Sequence, residues 1–477
     1  MVHPPTDPQS PARPAAPKHA EFQIRFIWWA LGLAIFAGFA LGAHVASVIG
    51  FEFPLHKGFY PYIQTHGHVQ LLGWAGLFIM GVSLHFIPRL AGTPLSSPSR
   101  LTLILRFMVS ALVLKFSSQS LLPYITQTAW FAPLSVCAAA ASVLLWMGVV
   151  IYVGTVFQTA RGAPDLGDRR AFRQVLPFFA MMTLGWLTYA TLNLGLVLKM
   201  VVATHVVLDQ GWSELATQLF LNLVLLPVAF AFSVRLFPLY LRLPLIDWPV
   251  GRVAVVYFCA VCVQLVPTLP PVLTVDTHLP GLLSCVGRIV KGCVILFFAF
   301  KLDVLTRRRA PWTVHRELHP GPERRQTRNG LPDYGEFGRF EWLVYSAYVW
   351  LIFAAVLEIA SALFSVLDVD LVISTDAVRH AYLMGFITHL IMGVAVRMIP
   401  GFLGKKKIAR PALVLATFWL GNLALGSRVF PLVIPAALIE RVPGGLVASQ
   451  IAFGLSGGLA IAAVVCLATN LVATARK

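Results

Sequence analysis

Long apolar runs constrain this chain more than any other feature. They recur along all 477 residues, and charged side chains make up only 12% of the sequence, against about 25% in a soluble domain. Inside lipid every backbone polar group must be hydrogen-bonded within the protein, which leaves helices or a closed barrel. The runs are about 20 residues or longer and lack the strict alternation of barrel strands. The sequence therefore predicts an all-α membrane protein.

About twelve transmembrane helices account for these runs. The predicted spans cover residues 22–50, 62–90, 98–123, 129–158, 172–202, 212–242, 249–273, 279–302, 340–366, 376–402, 407–432 and 443–474. Together they form a predicted membrane domain over residues 22–474. Residues 1–21 are Pro-rich and polar, which is typical of a disordered tail. The first apolar run has the length of a span and no clear cleavage site, so no cleavable signal is expected.

Positive charge is distributed unevenly over the two sets of loops. The net charge of +17 would by itself suit a nucleic-acid partner. Of the 37 Lys and Arg residues, however, only four lie in or beside the loops that follow odd-numbered spans, and only four lie inside spans. This asymmetry follows the positive-inside rule. It predicts a multi-pass membrane protein with both termini in the cytoplasm and no nucleic-acid partner.

The longest connection, residues 303–339, is a predicted basic cytoplasmic loop. We expect its arginines to meet anionic lipid headgroups, and binding of a partner protein is the alternative. The arginines on which this expectation rests are Arg307, Arg308, Arg309, Arg324, Arg325 and Arg328.

An internal repeat organises the membrane domain. Residues 66–92 and 378–404 align without a gap at an offset of 312 and share ten identities in 27 positions. Residues 228–242 form a weaker third copy. The copies lie on predicted spans 2, 6 and 10, so the unit is four helices repeated three times, over approximately 22–158, 172–302 and 340–474. Repeats in membrane proteins often place a site at their interface, although the shared glycines could serve helix packing alone.

Histidines open two of the repeat copies. His68 and His380 occupy equivalent positions on helices that run in the same direction, so we expect them at the same depth. Neutral imidazole binds haem iron and copper, and two such residues suit the axial ligands of one haem. The alternative is a structural, hydrogen-bonded pair. His66 points about 200° away from His68 around the helix, so it would serve a different site.

Other polar residues are candidates for a second site. His389 lies about 13 Å deeper than His380 along the helix and could serve a second metal, a proton path or packing. His205 follows span 5 and could reach His66 only if the fold brings them together. The predicted metal ligands are therefore His66, His68, His380, His389 and His205.

Three charged residues lie inside predicted spans 8 and 9. Arg288 and Lys291 are on neighbouring turns of span 8, and Glu358 is in span 9. Buried charges need partners, so we expect Glu358 to pair with one of the two cations. The sequence is compatible both with structural pairing and with a route for anions or protons.

The string HGHVQLLGWAGLFIMGVSLHFIPRL resembles a histidine-bearing helix of haem-copper oxidase subunit I. The resemblance implies that family's twelve helices in three pseudo-repeats, with low-spin haem held by His68 and His380. It stops at the catalytic metal centre, because predicted spans 6 and 7 contain no histidine.

The closer resemblance is to the NnrS family. It is carried by RHAYLMGFITHLIMGVAVRMIPGFLG, by Pro411 and by the segment from Asn422 to Arg428. That family consists of haem- and copper-containing bacterial membrane proteins linked to nitric oxide and nitrosative stress. The resemblance implies haem, of the b type, with copper as a candidate second cofactor. It also implies nitric oxide or a related small molecule as a partner, besides membrane lipid.

Three functions follow as hypotheses. The first is a haem-binding membrane protein of the NnrS type. The second is a divergent haem-copper oxidoreductase that reduces nitric oxide or oxygen with quinol. The third is a solute transporter, which the repeats and the charges inside spans also suit. Whether the chain is an enzyme is left open by the sequence.

Overall fold

The computed structural model describes residues 21–163, 170–273, 278–308, 327–369 and 373–477. Within these residues there is no strand, and twelve helices are long and apolar enough to cross a membrane. They are α1 Arg25–Phe51, α2 His56–Ala91, α3 Arg100–Tyr124, α4 Phe131–Arg161, α5 Phe172–Val202, α6 Gln210–Tyr240, α7 Val250–Thr268, α8 Leu279–Leu302, α9 Phe340–Val366, α10 Thr375–Phe402, α11 Pro411–Val433 and α12 Gly445–Arg476. The prediction of an all-α, twelve-helix membrane protein is confirmed. The predicted disordered tail lies outside the described residues, except for residue 21.

Most helix ends fall within a few residues of the predicted spans. The largest differences are at the start of α2 and the end of α7. A 3-10 turn, His56–Gly58, precedes the first α-helical residue of α2 and extends the helix beyond the apolar run. After α7 the chain forms a separate short helix, Pro270–Leu273, because proline lacks the amide hydrogen needed to continue a helix.

Three helices form the centre of the bundle. In the most apolar 18-residue stretch of each helix, 94% of the residues of α2, 83% of those of α6 and 78% of those of α10 are buried within the protein. The corresponding share in the other nine helices is 33–56%. The outer helices therefore present much of their apolar surface to lipid, and the three central helices pack against protein on nearly all sides. These are the helices that carry the sequence repeat.

The repeat is also visible in the backbone. A π-helical segment interrupts each central helix: Val69–Gly76 in α2, Leu221–Leu225 in α6 and Ala381–Thr388 in α10. The first and last segments are direct equivalents, because adding the offset of 312 to 69 and 76 gives 381 and 388. π-Helical turns are rare and occur frequently at functional sites. The three segments therefore indicate that a functional site lies at their level of the bundle. The outer limits of the three repeats stay a prediction.

Close contact between α7 and α8 depends on a glycine. A Cβ atom at Gly287 would lie 2.3 Å from the backbone nitrogen of Gln264. We expect Gly287→Ala to lower the free energy of unfolding by about 1–3 kcal/mol, because the two backbones must move apart. Gly281→Ala, in the same helix, is the matched control, since no atom lies within 4 Å of the added Cβ there. Unfolding in detergent measures both variants, and equal effects would contradict this account.

The described arginines of the connection after α8 are bound within the protein. Arg328 pairs with Asp333 at 2.8 Å and with Glu341 at 3.1 Å. Burial disfavours its charge, but the bonds to Asp333 and the attraction of Glu341 outweigh burial and raise the pKa of Arg328. Arg307 donates to the Gly330 carbonyl. The guanidinium of Arg328 is therefore engaged by two carboxylates, and contact of this connection with anionic lipid stays a prediction. Arg309, Arg324 and Arg325 lie outside the described residues.

Candidate ligand-binding site

A cavity of about 810 Å³ lies among α1, α2, α5, α6, α10, α11 and α12. It occupies the half of the bundle where α2, α6 and α10 begin, which we call the histidine side. Exposed residues at its edge, including Ile49, Tyr60 and Gln210, give it a mouth on that side. Its volume is within the range of small-molecule and cofactor sites. The deeper lining is largely apolar and includes Leu71, Trp74, Leu383 and Met384 from the two longer π segments.

His68 lines this cavity at the last α-helical residue before the π segment of α2. The side chain is buried, and its Nδ1 is 2.8 Å from the hydroxyl of Tyr189. Metal-binding histidines usually engage their second nitrogen in such a bond, which fixes the ring and its tautomer. When Nδ1–H donates to Tyr189, the lone pair on Nε2 is left for a ligand.

His380 stands at the equivalent position of α10 and lines the same cavity. Its Nδ1–H donates to the carbonyl of Asp376 at 2.9 Å, and the Asp376 carboxylate is 3.2 Å away. A carbonyl only accepts, so the proton of the neutral ring is on Nδ1 and the lone pair is on Nε2. The sequence prediction that these two histidines serve one site is consistent with their shared cavity.

His66 is the third imidazole in the lining. Its Nδ1–H donates to the Gly38 carbonyl at 2.7 Å, at the end of a fourth π segment, Ala34–Gly38 in α1. His66 and His68 are therefore held by different neighbours, α1 and α5, as expected for residues on different faces of α2. Both nevertheless border the same space.

Two predicted metal ligands lie elsewhere. His389 is fully buried, donates to the Met384 carbonyl at 2.9 Å and packs against Gly421 of α11. His205 is exposed in the loop before α6, which Gln64 holds to α2 through two 2.9 Å bonds with Leu208. Neither lines the cavity. In the described part of the chain, no group of three or more His, Cys, Asp or Glu residues is arranged to hold a metal ion.

An ion-pair network closes one side of the mouth. Asp376 pairs with Arg379 at 2.9 Å and with Arg428 at 3.2 Å, and Arg379 also reaches Glu214 at 3.2 Å. Two cations are thus matched by two carboxylates. Arg379 and Arg428 are two of the four Lys and Arg residues in or beside the loops that follow odd-numbered spans. The position of Arg379 beside His380, and of Arg428 near the end of an apolar span, was the signal in the sequence for their place in this network.

Two residues of α5 complete the site and were missed in the sequence. Tyr189 and Asn193 are four residues apart, so they share one face of the helix, and both line the cavity. Asn193 Oδ1 accepts from the buried ammonium of Lys115 at 2.8 Å. Polar residues at this spacing within an apolar run were the signal that could have found them.

The predicted charge pair in α8 and α9 is confirmed. Lys291 Nζ lies 2.8 Å from Glu358 Oε1, whereas Arg288 is at 4.0 Å. Tyr382 donates to the other Glu358 oxygen at 2.8 Å, and Lys291 donates to Asn222 at 2.9 Å. Asn222 and Tyr382 belong to the π segments of α6 and α10. The cluster therefore connects these two central helices to α8 and α9. It does not line the cavity.

Fold and cavity together define a class: a multi-pass helical membrane protein with an internal cavity lined by imidazoles. A comparison with known protein families finds no match to this chain. A search of curated proteins also finds no significant relative.

Proposed function

We propose that this protein binds haem in the cavity, where His68 and His380 would hold the iron. We further propose that it is an NnrS-type membrane protein that handles nitric oxide or the nitrosative stress it causes. The observation that carries the proposal is that two repeat-related imidazoles border one cavity, each with Nδ1 engaged by a neighbour. An absorption spectrum of the purified protein tests it, and the absence of any haem band after reconstitution would reject it.

The residues present fit a haem. The cavity has a suitable volume and a largely apolar lining, as a porphyrin ring requires. Bound haem would supply an iron centre that binds diatomic gases and changes oxidation state. The protein's own part is to orient the imidazoles through Tyr189 and Asp376. A bond from Trp74 Nε1 to Thr388 Oγ1, at 3.2 Å, also joins the π segments of α2 and α10.

The residues that line the cavity do not fit the copper site implied by the resemblance to the NnrS family. His389 and His205 lie away from the cavity, and His66 is the remaining predicted ligand besides the proposed haem pair. The lining therefore gives no support to a quinol-coupled reductase with a second metal beside the haem.

Tyr189→Phe tests the orientation of His68. The change removes the hydroxyl that holds Nδ1, and loss of such a partner usually weakens metal binding by about 10- to 100-fold. We expect that loss of haem affinity, measured by titration of the haem-free protein. Tyr152→Phe is the matched control, because its hydroxyl bonds Ser83 at 2.7 Å and Tyr152 does not line the cavity. Equal losses in both variants would assign Tyr189 a general packing role.

A solute transporter is the second candidate function. The observation in its favour is the mouth, which joins the cavity to the histidine side and carries paired charges. Transport by haem-free protein in liposomes would support it over the haem proposal.

We further propose that the protein resides in the bacterial inner membrane, with both termini and the basic connections in the cytoplasm. The positive-inside rule supports this orientation, which would direct the cavity mouth away from the cytoplasm. A reporter fused to the C-terminus tests it.

A further inference from the structure

Two buried lysines in this protein have similar surroundings and one difference. Lys115 and Lys291 are each 1% exposed. Lys115 donates to Asn193 Oδ1 at 2.8 Å, and Lys291 donates to Asn222 Oδ1 at 2.9 Å. Lys291 also has a carboxylate, Glu358, at 2.8 Å. Among the residues that the structure describes, no carboxylate is within ion-pair distance of Lys115.

A buried ammonium without a counter-charge is costly in a membrane. The arginines at the mouth do not resemble Lys115 in this respect, because Arg379 and Arg428 are matched by Asp376 and Glu214. The environment of Lys115 therefore lacks the negative group that Lys291 has.

Asn193 connects Lys115 to the cavity. An ammonium has donors only, so the amide oxygen of Asn193 must face Lys115, and this orients its Nδ2 group to the other side. Asn193 is 3% exposed and lines the cavity, and its buried Nδ2 has no hydrogen-bond partner among the described residues. Buried donors are rarely left without an acceptor.

We propose that Asn193 and Lys115 form an anion-binding subsite of the cavity, which takes a carboxylate oxygen of the ligand. Nδ2 donates to that oxygen, and the ammonium directly behind the amide balances its charge. A carboxylate of the porphyrin is one source, and in that case the inference rests on the proposed haem function. A free small carboxylate is the other source.

The test uses full-length, haem-free protein in detergent and two ligands that differ in the charge of their side-chain carboxyl groups: ferric protoporphyrin IX and its dimethyl ester. We expect wild type to prefer the diacid about 10- to 100-fold, the range for one charge-assisted hydrogen bond. Lys115→Met and Asn193→Leu should remove that preference, which is measured within each variant as the ratio of diacid affinity to ester affinity. Ser118→Ala is the matched control on α3, because its hydroxyl bonds the Lys115 carbonyl at 3.3 Å without reaching the cavity.

Asn193→Asp keeps the test decisive if the other variants fail to fold. It places a carboxylate beside Lys115, so we expect a higher melting temperature without ligand and a loss of the diacid preference. A wild-type preference in folded Asn193→Asp would overturn the proposal.

A second arm separates the two sources of the carboxylate. If formate raises the melting temperature of wild type but not of Lys115→Met, and the two porphyrins bind equally, the subsite takes a free carboxylate. If neither porphyrin binds wild type, the proposed function fails, and the formate arm still tests the subsite. Equal porphyrin binding with no formate effect would overturn the subsite and leave haem binding intact.

Discussion

Replacing His68 by alanine is expected to abolish the low-spin haem spectrum of the purified protein. The change removes one of the two imidazoles that would hold the iron, so a single one of the proposed histidine ligands is left. His380→Ala should have the same effect, because the two residues are equivalent by the repeat and border the same cavity. Optical and electron paramagnetic resonance spectra, with haem quantified per protein, measure the outcome.

His205→Ala is the control for this result. That side chain is exposed and outside the cavity lining, so the spectrum should match wild type. A wild-type spectrum in His68→Ala would remove His68 from the ligand set, whatever the other variants show.

Lys291→Met should destabilise the protein strongly, and more than Gly287→Ala does. It leaves the Glu358 carboxylate buried without its 2.8 Å partner, and Arg288 at 4.0 Å is a weaker substitute. Breaking one side of a buried pair costs about 3–5 kcal/mol. The free energy of unfolding in detergent measures the effect.

The double variant Lys291→Met with Glu358→Met separates the charge from the packing. Replacing both partners by apolar side chains is often neutral or stabilising, so we expect most of the lost stability to return. A double variant as unstable as Lys291→Met alone would show that packing of the lysine stem, and not its charge, was responsible.

The fold could be predicted largely from sequence because lipid imposes a simple rule. An apolar run long enough to cross a membrane must satisfy its backbone internally, so α4 or α12 is recognisable without knowledge of its neighbours. The pairing of Glu358 with a cation was predictable for a related reason, since an isolated charge in this environment has few alternatives.

The candidate site was predictable only in part. His68 and His380 were found because a repeat places equal residues at equal depth. Tyr189, Asn193 and the partners of Lys115 were not found, because the rotation of a helix about its axis is set by packing between small and large side chains. Hydropathy carries little information on that rotation. The same limit explains why His389, on the same helix as His380, packs against α11 and does not line the cavity.

The π segments give each central helix a place that holds more residues than α-helical turns of the same angle would, because their hydrogen bonds run from i to i+5. In a regular α-helix, each added or deleted residue turns everything on one side of it by about 100° relative to the other side. A π segment absorbs a deletion by shortening to α-helical turns, so removal of Leu72 is expected to leave the His68 imidazole at the cavity. A chain of this architecture can therefore lose a residue at this level and keep the direction of its imidazoles.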